Sequence, residues 1–132
     1  MNNPMGRASF LAAAQKLKCK WIPVPELGSD VAIRELTAGK AMELGANVRT
    51  DDREAMLLWV IASVLDPTTG VTNEAGEVDL STCTLMFTEA ALPELRVSMA
   101  SAIMRIGTAA VELTGLGKSP EELAKNSAAS PV

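Results

Sequence analysis

A single apolar stripe between Leu92 and Leu116 limits the folds open to this chain more than any other feature. Leu92, Leu95, Met99, Ala102, Ile106, Ala109, Leu113 and Leu116 follow one another in steps of three and four, the spacing of one face of a helix. Glu94, Ser98, Ser101, Arg105, Thr108 and Glu112 share the opposite face, while Ile103 and Ala110 widen the stripe beyond a narrow seam. That width suits a globular core better than a two-stranded coiled coil. Pro93 is tolerated only in a first turn, where its missing N–H breaks no hydrogen bond, and Gly115 and Gly117 stand where such a helix would turn off. The spacing predicts one long helix over about 92–116. Its stripe, Met99 included, is expected to lie mostly in the core of its own chain, so that Met99→Asp would unfold the domain.

A chain of 132 residues is long enough to bury a core without metals or disulfides, and it reads as a single domain over 1–132 with frayed ends at 1–8 and 127–132. Aromatic residues make up only 3% of it, so the core must be built from Ala, Leu, Val, Ile and seven Met, the last a flexible filler of irregular space. A net charge of -4 gives no attraction to phosphate backbones or anionic lipid, which argues against nucleic-acid and membrane partners. Lys16, Lys18 and Lys20 form a small basic cluster, best read as a solvated face. The longest apolar run, Ala55 to Leu65, is about half of the roughly 20 residues that a span needs. These features and the lack of a signal peptide lead us to expect a cytoplasmic protein. Cys19 and Cys83 read as two buried thiols, with a disulfide left open.

Along the chain, Phe10, Leu11, Ala14 and Leu17 share one face of a short helix over Ser9–Lys18, with Ser9 available as its cap. The alternating prolines of Lys20-Trp21-Ile22-Pro23-Val24-Pro25-Glu26-Leu27 forbid a helix and predict an edge strand. Gly28-Ser29-Asp30 supplies a turn and Val31 to Leu36 the return strand, with Val31 and Ile33 on one face. Thr37 can cap a helix through Lys40, Ala41, Met42 and Leu44, stopped at Gly45 to Asn47. Thr50 or Asp51 can open the next, from Asp52 to Leu58. The run Trp59 to Leu65 fits either a helix end or a buried strand, and β-branched Val60, Ile61 and Val64 favour a strand for its second part. Turns at 66–70 and 73–77 follow, and either Val78–Leu80 or Thr84–Phe87 can return as a strand. Ser119-Pro120-Glu121-Glu122 opens a last short helix containing Leu123. No internal repeat or dividing linker is visible. The fold expected is α+β and mainly helical: an N-terminal β-hairpin and a small sheet packed on a helical bundle.

The residues give little support to catalysis. With no His and no Tyr, two common acid–base groups are missing. Asp51-Asp52 and Glu121-Glu122 sit at helix starts, where they complement the dipole. The acidic stretch Asp66, Glu74, Glu77 and Asp79 lacks the ligand spacing of an EF-hand loop. Gly115-Leu116-Gly117-Lys118-Ser119 follows a helix instead of opening one, unlike a phosphate loop. No catalytic, metal or cofactor residue is assigned, and a binding or assembly role remains.

The Ala-rich start from Phe10, the "WIPVPELG" and "VAIREL" strands, "VIASVLDPTTG", "LMFTEAALPEL", and the "ELTGLG" helix end with its "KNSAASP" tail make a specific order of elements. This order, from about Phe10 to Pro131, resembles the tail assembly chaperones of long-tailed bacteriophages and prophages. The resemblance implies a non-enzymatic protein of the host cytoplasm, absent from the finished virion. Such a protein binds the tape measure protein, keeps its apolar helices soluble and recruits tail tube subunits. It also implies self-association and a frameshifted, C-terminally extended form. The expected contact residues for a partner or a second copy are Leu57, Met99, Ile103 and Ile106 at the margin of the helices, Ile22 and Val24 on the edge strand, and Leu123. The long loop from Asp66 to Asp79 is a further candidate edge. The competing reading is a small phage- or prophage-encoded structural or adaptor protein that acts through protein contacts without chaperone activity.

Overall fold

The computed structural model describes residues 4–45 and 53–115. It has a mainly helical α+β architecture. Helix α1 (Arg7–Ala14) leads into strands β1 (Cys19–Val24) and β2 (Ser29–Arg34), followed by helices α2 (Ala38–Gly45) and α3 (Arg53–Ser63). Four two-residue strands come next: β3 (Leu65–Asp66), β4 (Val71–Thr72), β5 (Val78–Asp79) and β6 (Thr84–Leu85). Helices α4 (Leu92–Arg96) and α5 (Ala100–Thr114) close the described chain.

The hairpin forms as its prolines dictate. β1 pairs antiparallel with β2 from Cys19↔Arg34 to Val24↔Ser29, and with no other strand among the described residues. Pro25 opens a 3-10 turn over Pro25–Leu27, and Gly28, at φ 68°, takes the left-handed conformation that closes it. Ile22, Val24 and Ile33 turn inward to the main core, whereas Ala32 joins a second, smaller cluster with Leu65 and Cys83. Both faces of β2 are thus covered, not one. A bridge between Ile33 and Val64 ties the hairpin to the start of β3, and the Leu36 N–H donates to Thr114 Oγ1 at 3.1 Å, pinning the end of the hairpin to the end of α5.

The main core lies between the hairpin, α3 and α5. Met56, Trp59 and Val60 of α3 and Ala102, Ile106 and Ala110 of α5 are buried there. Gly107 lets the two helices meet closely: a Cβ at that position would stand 2.6 Å from Met56 Sδ. The stretch Val60–Ser63 is helical and not a strand. Burial on all sides outweighs the β preference of Val60 and Ile61, and Ser63 satisfies its buried hydroxyl by donating to the Trp59 carbonyl at 2.7 Å. Met42 is exposed on α2, where Ala41 is buried and Leu44 packs partly buried against the main core. Thr37 does cap α2, accepting from the Lys40 N–H at 3.3 Å.

The expected helix over 92–116 is two helices. α4 ends at Arg96, Val97 to Met99 form a break, and α5 begins at Ala100. Ser98 accounts for part of the interruption, since its hydroxyl donates to the Glu94 carbonyl at 3.0 Å and competes with the helical ladder. The break turns Met99 outward, to 55% exposure, while Leu95, Ala102 and Ile103 stay buried. Met99 is therefore not a core residue. Pro93 stands in the first turn of α4, and Gly115 ends α5 at φ 84°. At the other end of the chain, α1 starts at Arg7 behind Gly6, with Ser9 inside the helix, and it buries no residue fully. The caps at Thr50 or Asp51, the helix after Ser119 and the tail over 127–132 lie outside the described residues.

An internal repeat does exist between α3 and α4. Leu65-Asp66-Pro67-Thr68-Thr69-Gly70-Val71-Thr72 matches Val78-Asp79-Leu80-Ser81-Thr82-Cys83-Thr84-Leu85 position by position. The two copies pair antiparallel, β3 with β6 and β4 with β5. Each aspartate caps its own 3-10 turn: Asp66 Oδ1 accepts from the Thr68 N–H at 3.0 Å, and Asp79 Oδ1 from the Ser81 N–H at 3.1 Å. Each turn's last threonine then reaches across. Thr69 Oγ1 accepts from the Thr84 N–H at 2.9 Å and Thr82 Oγ1 from the Val71 N–H at 2.8 Å. Gly70 and Cys83 occupy equivalent places near the local axis, where a Cβ on Gly70 would fall 2.5 Å from Cys83 Sγ. Only one of the two can carry a side chain. Asn73 closes the tip of the arm, its Oδ1 accepting from Ala75 and Glu77 at 2.9 and 3.0 Å.

Candidate functional site

The break between α4 and α5 creates a strongly apolar concavity. A groove of about 290 Å³ opens there, its floor formed by Val60, Val64, Leu95, Ala102, Ile103 and Ile106. Leu27 and Val31 of the hairpin form one wall, Met86 and Phe87 the other, and Ser98 and Met99 the lip. Ser98 is its one polar side chain, and that hydroxyl is already committed to Glu94. Leu27, Met86 and Met99 are 51%, 43% and 55% exposed, so three large apolar side chains stand in solvent around an apolar floor.

A smaller depression of about 180 Å³ lies on the other side of the same break. It shares Leu95, Ser98 and Ile103 with the groove and adds Leu57, Ala100 and Met104. Val97, 87% exposed, belongs to the same break. The segment Val97–Met99 is an apolar knuckle beside two hollows. Solvent-exposed apolar groups grouped in this way are a mark of surfaces that meet other molecules, in contrast to scattered single ones.

Two ion pairs hold the surroundings in place. Glu26, next to Leu27, accepts from Arg105 Nε of α5 at 2.8 Å and so fixes the hairpin turn against the helix. The Arg105 guanidinium holds the Glu26 carboxyl below its usual range, and the same hydrogen bond raises Arg105. Arg96 Nε donates to Glu54 Oε1 at 3.1 Å beside the smaller hollow. All four side chains are polar posts at the edge of an apolar surface.

The expected contact residues separate into three groups. Ile103 and Ile106 lie on the groove floor with Met99 at its lip, and Leu57 and Ile103 line the smaller hollow. Ile22 and Val24 are buried on the inward face of β1, so the edge strand presents Trp21 and Pro23 outward instead. Leu123 lies outside the described residues. Leu27, Met86 and Phe87 are groove residues that pattern reasoning missed, as is exposed Val97 in the break beside them. Leu27 is a large apolar residue set against the turn glycine Gly28 and outside any periodic stripe, and that isolation is the signal that could have found it; Met86, within Leu85-Met86-Phe87, carries no such signal.

Other chemistry finds little purchase. Among the described residues, no group of three or more His, Cys, Asp or Glu is placed to hold a metal ion. The Asp66 and Asp79 carboxylates of the acidic stretch serve as turn caps. Cys19 and Cys83 carry free thiols, and burial pushes both of them above the usual thiol range. No helix among the described residues is long and apolar enough to cross a membrane. Comparison with known proteins finds no matching family model, no matching curated protein and no matching solved structure.

Proposed function

We propose that this protein is a tail assembly chaperone of a long-tailed phage or prophage, and that the groove beside Met99 is where it holds an apolar helix of the tape measure protein. The observation that carries the reading is the ring of exposed Leu27, Met86 and Met99 around a floor with no free polar group. A groove of this kind takes apolar side chains of several shapes. Methionine supports that breadth, because its unbranched thioether adapts where a branched chain or ring would exclude. A chaperone for a long helical client needs such tolerance, since successive turns of the client offer different residues.

On this reading the knuckle Val97–Met99 separates two hollows that receive neighbouring apolar residues of one client helix, as in other helix-in-groove contacts. Recruitment of tail tube subunits and association with further copies then use surfaces outside the groove. The host cytoplasm is the compartment in which this role is exercised.

Co-expression tests the proposal. A tape measure fragment that is insoluble alone is expected to become soluble with the wild-type chain and to stay insoluble with a folded Met86→Asp, Met99→Asp double variant. If solubility is unchanged by the wild-type chain, the protein is not a chaperone for that client. The adaptor reading would then be preferred.

A further inference from the structure

The described arginines are treated unequally. Arg96 and Arg105 are half exposed and each has a carboxylate partner. Arg34, at the end of β2, is partly buried; its side chain makes no hydrogen bond or ion pair with another described residue, and its Nε is buried without an acceptor. The guanidinium as a whole therefore keeps a partly buried charge with no carboxylate among the described residues bonded to it. Arg34 lines a cavity of about 470 Å³ between the end of α1, the start of β1 and the 80–82 turn. Lys16 lines the same cavity, while Leu17, Leu80 and the thiols of Cys19 and Cys83 give it apolar walls.

The nearby carboxylates do not meet this need. Glu35 Oε1 accepts from the Lys18 N–H at 2.8 Å, with its other oxygen 4.0 Å from Lys18 Nζ. Asp79 Oδ1 is occupied by the N–H and hydroxyl of Ser81, at 3.1 and 2.7 Å. Both still add negative charge around Cys19, which favours a monoanion over a dianion.

We propose that this cavity binds a carboxylate carrying a short apolar group, with the Arg34 guanidinium as its main partner and Lys16 as a second positive charge. A guanidinium matches the two oxygens of a carboxylate in a paired geometry that an ammonium cannot reproduce. The apolar group lies against Leu17 and Leu80. The carboxylate has two possible sources, the end of a polypeptide or a free organic acid, and both offer the same chemistry to Arg34. The site is separate from the groove beside Met99, so it stands or falls independently of the chaperone reading.

Titration calorimetry of the full chain tests the site with three probes: 4-methylpentanoate, an N-acetylated dipeptide ending in leucine with a free carboxylate, and inorganic phosphate. Saturable binding of at least one carboxylate is expected, with phosphate weaker. Tighter binding of the dipeptide indicates a chain terminus, and tighter binding of the free acid indicates a small metabolite-sized ligand. Arg34→Gln is expected to weaken binding at least about tenfold, and Arg34→Lys to fall between the two, as loss of a paired charged contact implies. Circular dichroism confirms that each variant is folded. As a second readout, saturating carboxylate should slow alkylation of Cys19 by N-ethylmaleimide in the wild type and not in Arg34→Gln. No saturable binding of either carboxylate, equal binding of phosphate, or unchanged binding by folded Arg34→Gln would each overturn the proposal.

Discussion

The helical layer and the 65–85 arm are built on opposite principles. In the helical layer, α3 and α5 meet through Met56, Trp59, Ile106 and Ala110, with the close approach at Gly107, and buried polar side chains are nearly absent. The arm has a cluster of only three buried residues, Ala32, Leu65 and Cys83, one of them from β2, and is held by side chains bonded to backbone: Asp66, Asp79, Thr69, Thr82 and Asn73. Apolar packing is shared among many neighbours, so damage to it spreads. Capping bonds are local, so their loss should open one turn and leave the rest. The comparison also explains where an apolar surface arises. The helical layer has apolar groups to spare, and the break at Val97–Met99 exposes Val97 and Met99 beside Leu27 and Met86.

The sharpest way to separate the two regions is to damage each. Trp59→Ala, in the centre of the helical layer, is expected to lower global stability by about 3–5 kcal/mol, read by denaturant unfolding. Retention of near wild-type stability would mean that the two helices do not share one core. In the arm, Gly70→Ala places a Cβ against Cys83 Sγ and Val78 Cγ2, 2.5 and 2.6 Å away, and is expected to cost about 1–3 kcal/mol by overpacking. The exchange Gly70→Cys with Cys83→Gly should recover much of that loss if the repeat has a true local axis. A double variant no more stable than Gly70→Ala would show that the two halves are not equivalent.

Smaller effects follow from single caps. Asp79→Ala should cost about 0.5–2 kcal/mol, with faster amide exchange at Ser81 and unchanged protection in α5. Uniform loss of protection would contradict the local character assigned to the arm. Met99→Asp should change stability by no more than about 0.5 kcal/mol, because the side chain is half in solvent. That expectation reverses the one drawn from the apolar stripe. Glu26 supplies the smallest effect. Arg105 holds its folded carboxyl below the unfolded value, so its contribution is full above the usual glutamate range and fades as pH falls through the lowered folded value. The stability gap between wild type and Glu26→Gln should therefore narrow on acidification and with added salt. A gap that widens below the glutamate range would place the ion pair elsewhere.

Much of the fold was legible in the residues. Pro23, Pro25 and Gly28 specify the hairpin, Thr37 the start of α2, and Pro93 and Gly115 the two ends of the last helical region. The errors have physical causes. A heptad-like stripe runs unbroken through Met99 in sequence, but Ser98 diverts a carbonyl and the chain turns, so periodicity overstates helix continuity. Val60 and Ile61 favour a strand by preference and become helical because every side of α3 at that point is buried. The repeat in the arm is hidden because Pro67 corresponds to Leu80, Gly70 to Cys83 and Thr72 to Leu85, and only Asp66/Asp79 and Thr69/Thr82 are kept identical. Half of the groove was visible as stripe residues. Leu27 and Met86 come from elements distant in sequence, and no pattern within one element could bring them to Met99.

The proposed contact with the client is the surface around Met99, and not the core stripe. Solubility of a co-expressed tape measure fragment, compared between the wild-type chain and a Met86→Asp, Met99→Asp variant of matched stability, tests it most directly. The account predicts soluble complex with the wild type and insoluble fragment with the variant. Equal solubilisation by both would contradict it.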